Sequence, residues 1–199
     1  MNEVASDLEL LSQWSAGVRG AGAALIERHF ATVHRFFRSK VGSESADLVQ
    51  QTFLACIESR ERYRGHASFK TFLLAIARHQ LLAFYRARRK VALDITVTSL
   101  RDLGTSPSGQ LARHERDRIL AEALTRIPLE AQMILELVYW EGLNGVELSC
   151  VLELPPNTAS SKLRRARLAL ASALDQQTRD PGLARSLLRG LGAHELAEP

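Results

Sequence analysis

The chain has 199 residues, 46% hydrophobic and 24% charged, with a formal net charge of +4. That is the composition of a soluble globular protein with room for two small domains, and the excess of Lys and Arg leans toward an anionic partner. Cys56 and Cys150 lie far apart, which excludes a disulfide framework or a CxxC pair and fits a reducing compartment. The acidic opening MNEVASDLELL lacks the basic segment of a secretory signal. No apolar run approaches the ~18 residues of a membrane span, so no membrane insertion and a cytoplasmic location are expected.

Apolar residues recur at three and four rather than two, so the chain reads as all-α, with VALDITVTSL the only β-like run. A short helix over residues 5–18 would place Leu8, Leu11 and Trp14 or Val18 on one side before Gly17, Gly20 and Gly22 break it. A second helix, Ala23 to Lys40, has Leu25, Ile26, Phe30, Val33 and Phe37 as its apolar face and ends at Gly42. Ser43 or Ser45 can cap a third, ADLVQQTFLACIESR, which turns Leu48, Phe53 or Thr52, Ala55 and Cys56 inward. The loop ERYRGHAS then leads into a long fourth helix from Phe69 to Lys90. At about 100° per residue, Phe69, Phe72, Leu73, Ile76, Ala83 and Phe84 cluster on one face of that helix. Thr71, Arg78, Tyr85 and Arg89 share the opposite face, flanked by His79 and Arg86. Cations interleaved with an aromatic suit single-stranded nucleic acid, whose phosphates meet the cations while rings stack on unpaired bases. The same residues also fit half-buried tyrosines and a basic helix C-terminus.

Thr105, Ser106, Pro107, Ser108 and Gly109 mark a flexible connection over residues 92–116, between a first domain at 1–91 and a second at 117–175. Extended, it could reach ~80 Å. One to two turns of duplex DNA span ~34–70 Å, so two tethered domains could occupy adjacent turns. In the second domain, RDRILAEALTRIP and LEAQMILELVYWEG read as helices, the latter with Met133, Ile134, Leu137, Val138 and Trp140 partly buried. The short helix GVELSCVLEL, a Pro-containing turn and PPNTASSKLRRARLALASAL make a helix-turn-helix pattern. Asn157 or Thr158 can cap the last helix. Ala159, Leu163, Ala166, Leu170 and Leu174 form its apolar side. Ser160, Ser161, Lys162, Arg164, Arg165, Arg167 and Leu168 fall opposite or on the flanks, a set that suits phosphates and major-groove base edges or a solvated basic face. Glu130, Glu136, Glu141 and Glu147 are confined to the preceding helices, a segregation that turns one face toward DNA. Residues 176–199 hold Leu183, Leu187, Leu188 and Leu191, enough for one or two helical turns that pack back, bind a partner or fray.

A catalytic role finds no support. His29 and His34 lack an HExxH context, while His66, His79, His114 and His194 are scattered. There is no phosphate-binding Walker loop, GxSxG elbow or zinc-ligand spacing, so no catalytic residues, cofactor or metal are expected.

From Ala23 to Leu174 the chain resembles a bacterial RNA polymerase sigma factor of the extracytoplasmic-function (ECF) group in the sigma-70 superfamily. The resemblance rests on ADLVQQTFLAC and YRGHASFKTFLLAIARHQLLAFYRARRK, then on IPLEAQMILELVYWEGLNGVELSCVLELPPNTASSKLRRARLAL. It implies two helical domains, regions 2 and 4, on a flexible linker. It implies that Asp47, Leu48, Val49, Gln50, Gln51 and Phe53 grip the coiled coil of the largest subunit of core RNA polymerase. Tyr63, Arg64, Gly65, His66 and Ser68 would capture a flipped base of the −10 element, and Thr71, Arg78, His79, Tyr85, Arg86 and Arg89 would support melting and backbone contact. Thr158, Ser160, Ser161, Lys162, Arg164, Arg165 and Arg167 would serve the −35 major groove. Promoter DNA and an anti-sigma factor are the further partners implied. His79 stands where many relatives have asparagine, Ala159 where valine is usual and Ser160 where a basic residue is common, so altered promoter preferences are expected. Two rival readings are a stand-alone helix-turn-helix regulator and a sigma-like decoy that titrates a regulator.

Overall fold

A computed structural model describes residues 5–59, 63, 65, 67–92 and 115–178, and every described element is helical. The chain divides into two compact units, residues 1–97 and 98–199. The β-like run from residue 93 onward, most of the 92–116 connection and the leucine-rich tail from residue 179 lie outside the described residues.

In the first unit α1 spans Asp7–Ser15, α2 Arg19–Val41, α3 Ser45–Ser59 and α4 Phe69–Ala92. Ser6 and Glu9 close a capping box at the start of α1, the side chain of each accepting the other's backbone N–H. The break after α1 comes at Gly17, whose φ of +91° suits glycine. Gly20 and Gly22, expected to prolong that break, lie inside α2. Gly22 is a packing seat, because a Cβ there would come within 2.7 Å of Trp14 Nε1. The buried pair on α1 is Leu10 and Leu11, with Leu8 outside.

Leu25, Val33, Phe36 and Phe37 from α2 meet Leu48, Val49, Phe53 and Cys56 from α3 in the core. A buried aliphatic or phenyl side chain of this kind contributes ~1.5–3 kcal/mol. Helix α4 differs from the expected face. Its buried residues are Phe69, Thr71, Leu73, Leu74, Ala77 and Leu81, whereas Ala83 is exposed and Phe72, Ile76 and Phe84 are half-buried. The aromatics do not mark the centre of the buried arc, because α4 packs against both α2 and α3 and needs a wide contact surface.

The second unit comprises α5 (Glu115–Arg126), α6 (Leu129–Tyr139), α7 (Gly145–Leu152) and α8 (Pro156–Gln177). Met133, Ile134, Leu135 and Leu137 of α6 are fully buried, and α8 packs on α5, α6 and α7. The apolar side expected for α8 is the buried one, extended by Ala173. Asn144 caps α7 by accepting the Val146 and Glu147 N–H groups, while Glu147 accepts the Asn144 N–H. At the other end Glu153 takes a left-handed conformation, φ 55°, and Leu154 N donates to Ser149 O at 3.1 Å. This is a Schellman-type stop that turns the chain sharply toward α8.

Candidate nucleic-acid and partner surfaces

Helix α8 begins without the expected Asn157 or Thr158 cap. Pro155 occupies the N-cap position and Pro156 the first turn, so both expected capping residues lie within the helix. Proline fits there because its fixed φ is already helical and its missing N–H would have had no intrahelical partner. Ser160, Ser161, Arg164, Arg165 and Leu168 are exposed, while Thr158, Lys162 and Arg167 are half-buried. Lys162 Nζ donates to Glu130 Oε1 at 2.7 Å. Arg167 Nε donates to the Tyr139 hydroxyl at 2.7 Å, with its guanidinium 5.7 Å from that ring's centroid. The expected segregation of charge is therefore incomplete: an acidic residue of α6 reaches across to a basic residue of α8.

In the first unit the loop before α4 is organised by Tyr63. Its hydroxyl donates to Ala67 O at 2.5 Å, and its ring lies 5.2 Å from Phe72 and 6.1 Å from Phe69. Burial, followed by the nearby Asp7 charge, raises the Tyr63 pKa. Gly65 has φ +72° with open space around it. Ser68 Oγ accepts the Thr71 N–H at 3.2 Å and lies 2.8 Å from Thr71 Oγ1, so this pair closes the start of α4. Thr71 was expected on a nucleic-acid face, yet it is 1% exposed. Arg64 and His66 lie outside the described residues, as does the side chain of Arg89.

Further along α4, His79 and Arg86 are exposed and Arg78 is half-buried. The Tyr85 hydroxyl donates to Lys40 O at 2.6 Å, binding α4 to the end of α2, and burial raises its pKa above the usual phenol value. Lys40 is itself buried. Its ammonium donates to Phe36 O at 2.6 Å and sits 4.3 Å from the Phe36 ring centroid. A cation in the last turn suits the negative end of the helix dipole. Arg88 pairs with Glu44 and covers the Phe84 ring at 4.6 Å.

On α3, Asp47, Gln50 and Gln51 are exposed, whereas Leu48, Val49 and Phe53 belong to the core. Leu54 joins the exposed set at 51%, and Phe30 of α2 is exposed at 50% with its ring stacked on Phe53 at 6.2 Å. Sequence reasoning missed Leu54 and placed Phe30 on the apolar face of the second helix, where the structure leaves it half exposed. The signal for Leu54 was its position three and four residues after Gln51 and Gln50, on their stripe.

The α1 strap closes on the same unit. Asp7 Oδ1 accepts from Arg28 at 2.6 Å, and Asp7 Oδ2 lies 2.8 Å from His29 Nε2. Burial alone would raise the Asp7 pKa, but hydrogen bonds and charge from His29 and Arg28 outweigh it and hold the carboxyl below its usual range. The His29 ring lies 5.4 Å from Phe69, the residue that Tyr63 also contacts. Among the described residues no helix is long and apolar enough to cross a membrane, and no cluster of three or more His, Cys, Asp or Glu could hold a metal.

Comparison with known proteins gives two family-model matches: Sigma-70 region 2 over residues 25–91, and Sigma-70, region 4 over residues 117–170. The chain is 27% identical to an ECF RNA polymerase sigma-E factor of Haemophilus influenzae over 179 residues, covering 84% of this chain and 94% of the relative. It is 30% identical to RNA polymerase sigma factor YlaC of Bacillus subtilis over 129 residues, covering 62% of this chain and 73% of the relative. Among solved structures, CnrH in complex with the cytosolic domain of CnrY matches with a TM-score of 0.63 at 22% identity, covering 86% of this chain and 99% of that one. The sigma factor RpoE in complex with the anti-sigma factor NepR from Bartonella quintana also matches at a TM-score of 0.63, with 17% identity and 77% and 96% of the two chains covered.

Proposed function

The chain belongs to the ECF group of the sigma-70 family of RNA polymerase sigma factors, and from that membership we propose how its two units divide the work of starting transcription. It is a sigma factor that directs promoter-specific transcription. The first unit binds core polymerase through Asp47, Gln50, Gln51 and Leu54, the exposed stripe of α3. Leu48, Val49 and Phe53 hold that stripe in place from within the core.

The loop at Tyr63 to Ser68 and the exposed His79 and Arg86 of α4 engage the non-template strand of the −10 element. Capturing an unstacked base there offsets an unpairing cost of a few kcal/mol, so melting is driven by binding energy. The second unit sets α8 in the −35 major groove, where Ser160, Ser161, Arg164 and Arg165 meet base edges and phosphates. The observation that carries this reading is the outer face of α8: hydroxyls and guanidinium groups exposed above a buried Ala and Leu stripe, directly after a sharp helix-turn-helix stop. A stand-alone helix-turn-helix regulator would leave the region 2 match and the exposed stripe of α3 without a role.

The protein acts in the cytoplasm, where polymerase is, and an anti-sigma factor holds it inactive. The two solved structures described above are complexes, one of them with a named anti-sigma factor, which supports such a partner. The test is transcription in vitro from a pool of promoter fragments, with core polymerase alone or with this protein. New start sites preceded by a shared pair of elements are expected. Core binding without new starts would point to a decoy, and no core binding would favour the stand-alone regulator.

A further inference from the structure

Helix α6 holds both shoulders of α8, through a carboxylate at one and a tyrosine hydroxyl at the other. At about 100° per residue, Lys162 and Arg167 lie on opposite edges of the buried stripe formed by Ala159, Leu163, Ala166 and Leu170. Near the start of α6, Glu130 takes Lys162 in an ion pair at 2.7 Å. At its end, Tyr139 takes Arg167 by a neutral hydroxyl at 2.7 Å. The tyrosine hydroxyl fixes the guanidinium by accepting its Nε–H. The carboxylate fixes the ammonium and neutralises it.

A phosphate approaching α8 therefore meets exposed guanidinium groups on Arg164 and Arg165, but a compensated charge on Lys162. We propose that Glu130 is an affinity-setting residue, an internal rival to DNA phosphate for Lys162, which removes one cation from the duplex-binding face. Tyr139 is the matching positioning residue for Arg167. This rests on the reading of α8 as the duplex-binding helix. Each lysine or arginine that neutralises a phosphate releases condensed counterions and steepens the fall of log K with log[salt] by about 0.9. In the unaltered chain Lys162 adds nothing to that slope, because binding a phosphate means giving up Glu130.

The test is fluorescence-anisotropy titration of a labelled 30-base-pair duplex of mixed sequence with the full chain over a series of salt concentrations. Glu130→Gln should steepen the slope by about 0.9 and tighten binding most at low salt. Lys162→Ala alone should leave the slope as it is. The double variant Glu130→Gln/Lys162→Ala should return to the unaltered slope, which separates release of Lys162 from a general gain of positive charge. Glu130 is exposed and its pair lies at the surface, so these variants keep the fold, and far-UV circular dichroism verifies that. An unchanged slope in Glu130→Gln, or a steeper slope that survives loss of Lys162, overturns the proposal. Arg165→Ala serves as the reference: if it leaves slope and affinity unchanged, the reading of α8 itself fails, whereas a shallower slope there with no response at Glu130 overturns the inference alone.

Discussion

Helices α4 and α8 are both long, basic and rich in leucine, yet they deploy their cations differently. The buried residues of α8, from Ala159 to Leu174, occupy an arc of roughly 100°. Those of α4, from Phe69 to Leu81 and including Thr71, occupy roughly 200°. The narrow arc leaves Ser160, Ser161, Arg164, Arg165 and Leu168 outside. The wide arc draws in Thr71, engages the Tyr85 hydroxyl with α2 and leaves His79 and Arg86 exposed. A helix that reads an intact duplex needs a continuous outer face. A helix that supports a melted strand can work from a few protruding groups while serving as the spine of its domain.

The largest expected effect probes that difference in burial. Leu74→Ala, fully buried on α4, should cost ~2–5 kcal/mol of unfolding free energy, whereas Leu168→Ala, 59% exposed on α8, should stay within ~0.5 kcal/mol. Denaturant unfolding followed by circular dichroism checks both, and equal effects would break the contrast. Next is Arg165→Ala, which should weaken use of promoters that depend on the −35 element by ~1–3 kcal/mol and make duplex binding less salt-dependent, with folding unchanged. Promoter-specific transcription measures the first part, and full activity would remove Arg165 from its role.

Tyr85→Phe should destabilise the first unit by ~0.5–1.5 kcal/mol, because Lys40 O loses its hydroxyl donor while the ring remains. The Asp7 link is smaller, since the pair is partly exposed, and Asp7→Asn should cost under ~1 kcal/mol. The folded-state pKa of Asp7 lies below its unfolded value, so its contribution is present above the unfolded pKa and is lost as pH falls through the folded one. The stability difference between the unaltered chain and Asp7→Asn should therefore shrink in acid; a constant difference would contradict the ion-pair account. The last contrast sets one cysteine in each unit against the other. Burial pushes the Cys56 thiol up to about 12, while Cys150 is exposed. Iodoacetamide at neutral pH should label Cys150 alone in the folded chain and both in denaturant, as read by mass spectrometry.

The same contrast explains what the sequence disclosed. The stripe of α8 was legible because a narrow arc produces a clean three-and-four spacing of Ala and Leu. The arc of α4 was misplaced because Phe69, Phe72 and Phe84 drew attention to one side, while the fully buried Leu74, Ala77 and Leu81 lay further round. The start of α8 was misjudged for a local reason: Pro155 takes the N-cap position in an extended conformation and Pro156 opens the first turn with its φ already helical, so no hydroxyl or amide cap is used. The pairing of Lys162 with Glu130 joins residues 32 apart, and nothing in the local pattern encodes it.

The central claim is that α8 reads the upstream element while the first unit reads the downstream one. Its most direct test is transcription from a promoter library randomised at both elements, with transcripts sequenced for the unaltered chain, Arg165→Ala and His79→Asn. The account predicts that Arg165→Ala shifts base preference only in the upstream block and His79→Asn only in the block nearer the start site. Both variants shifting the same block, or neither shifting any, would contradict it.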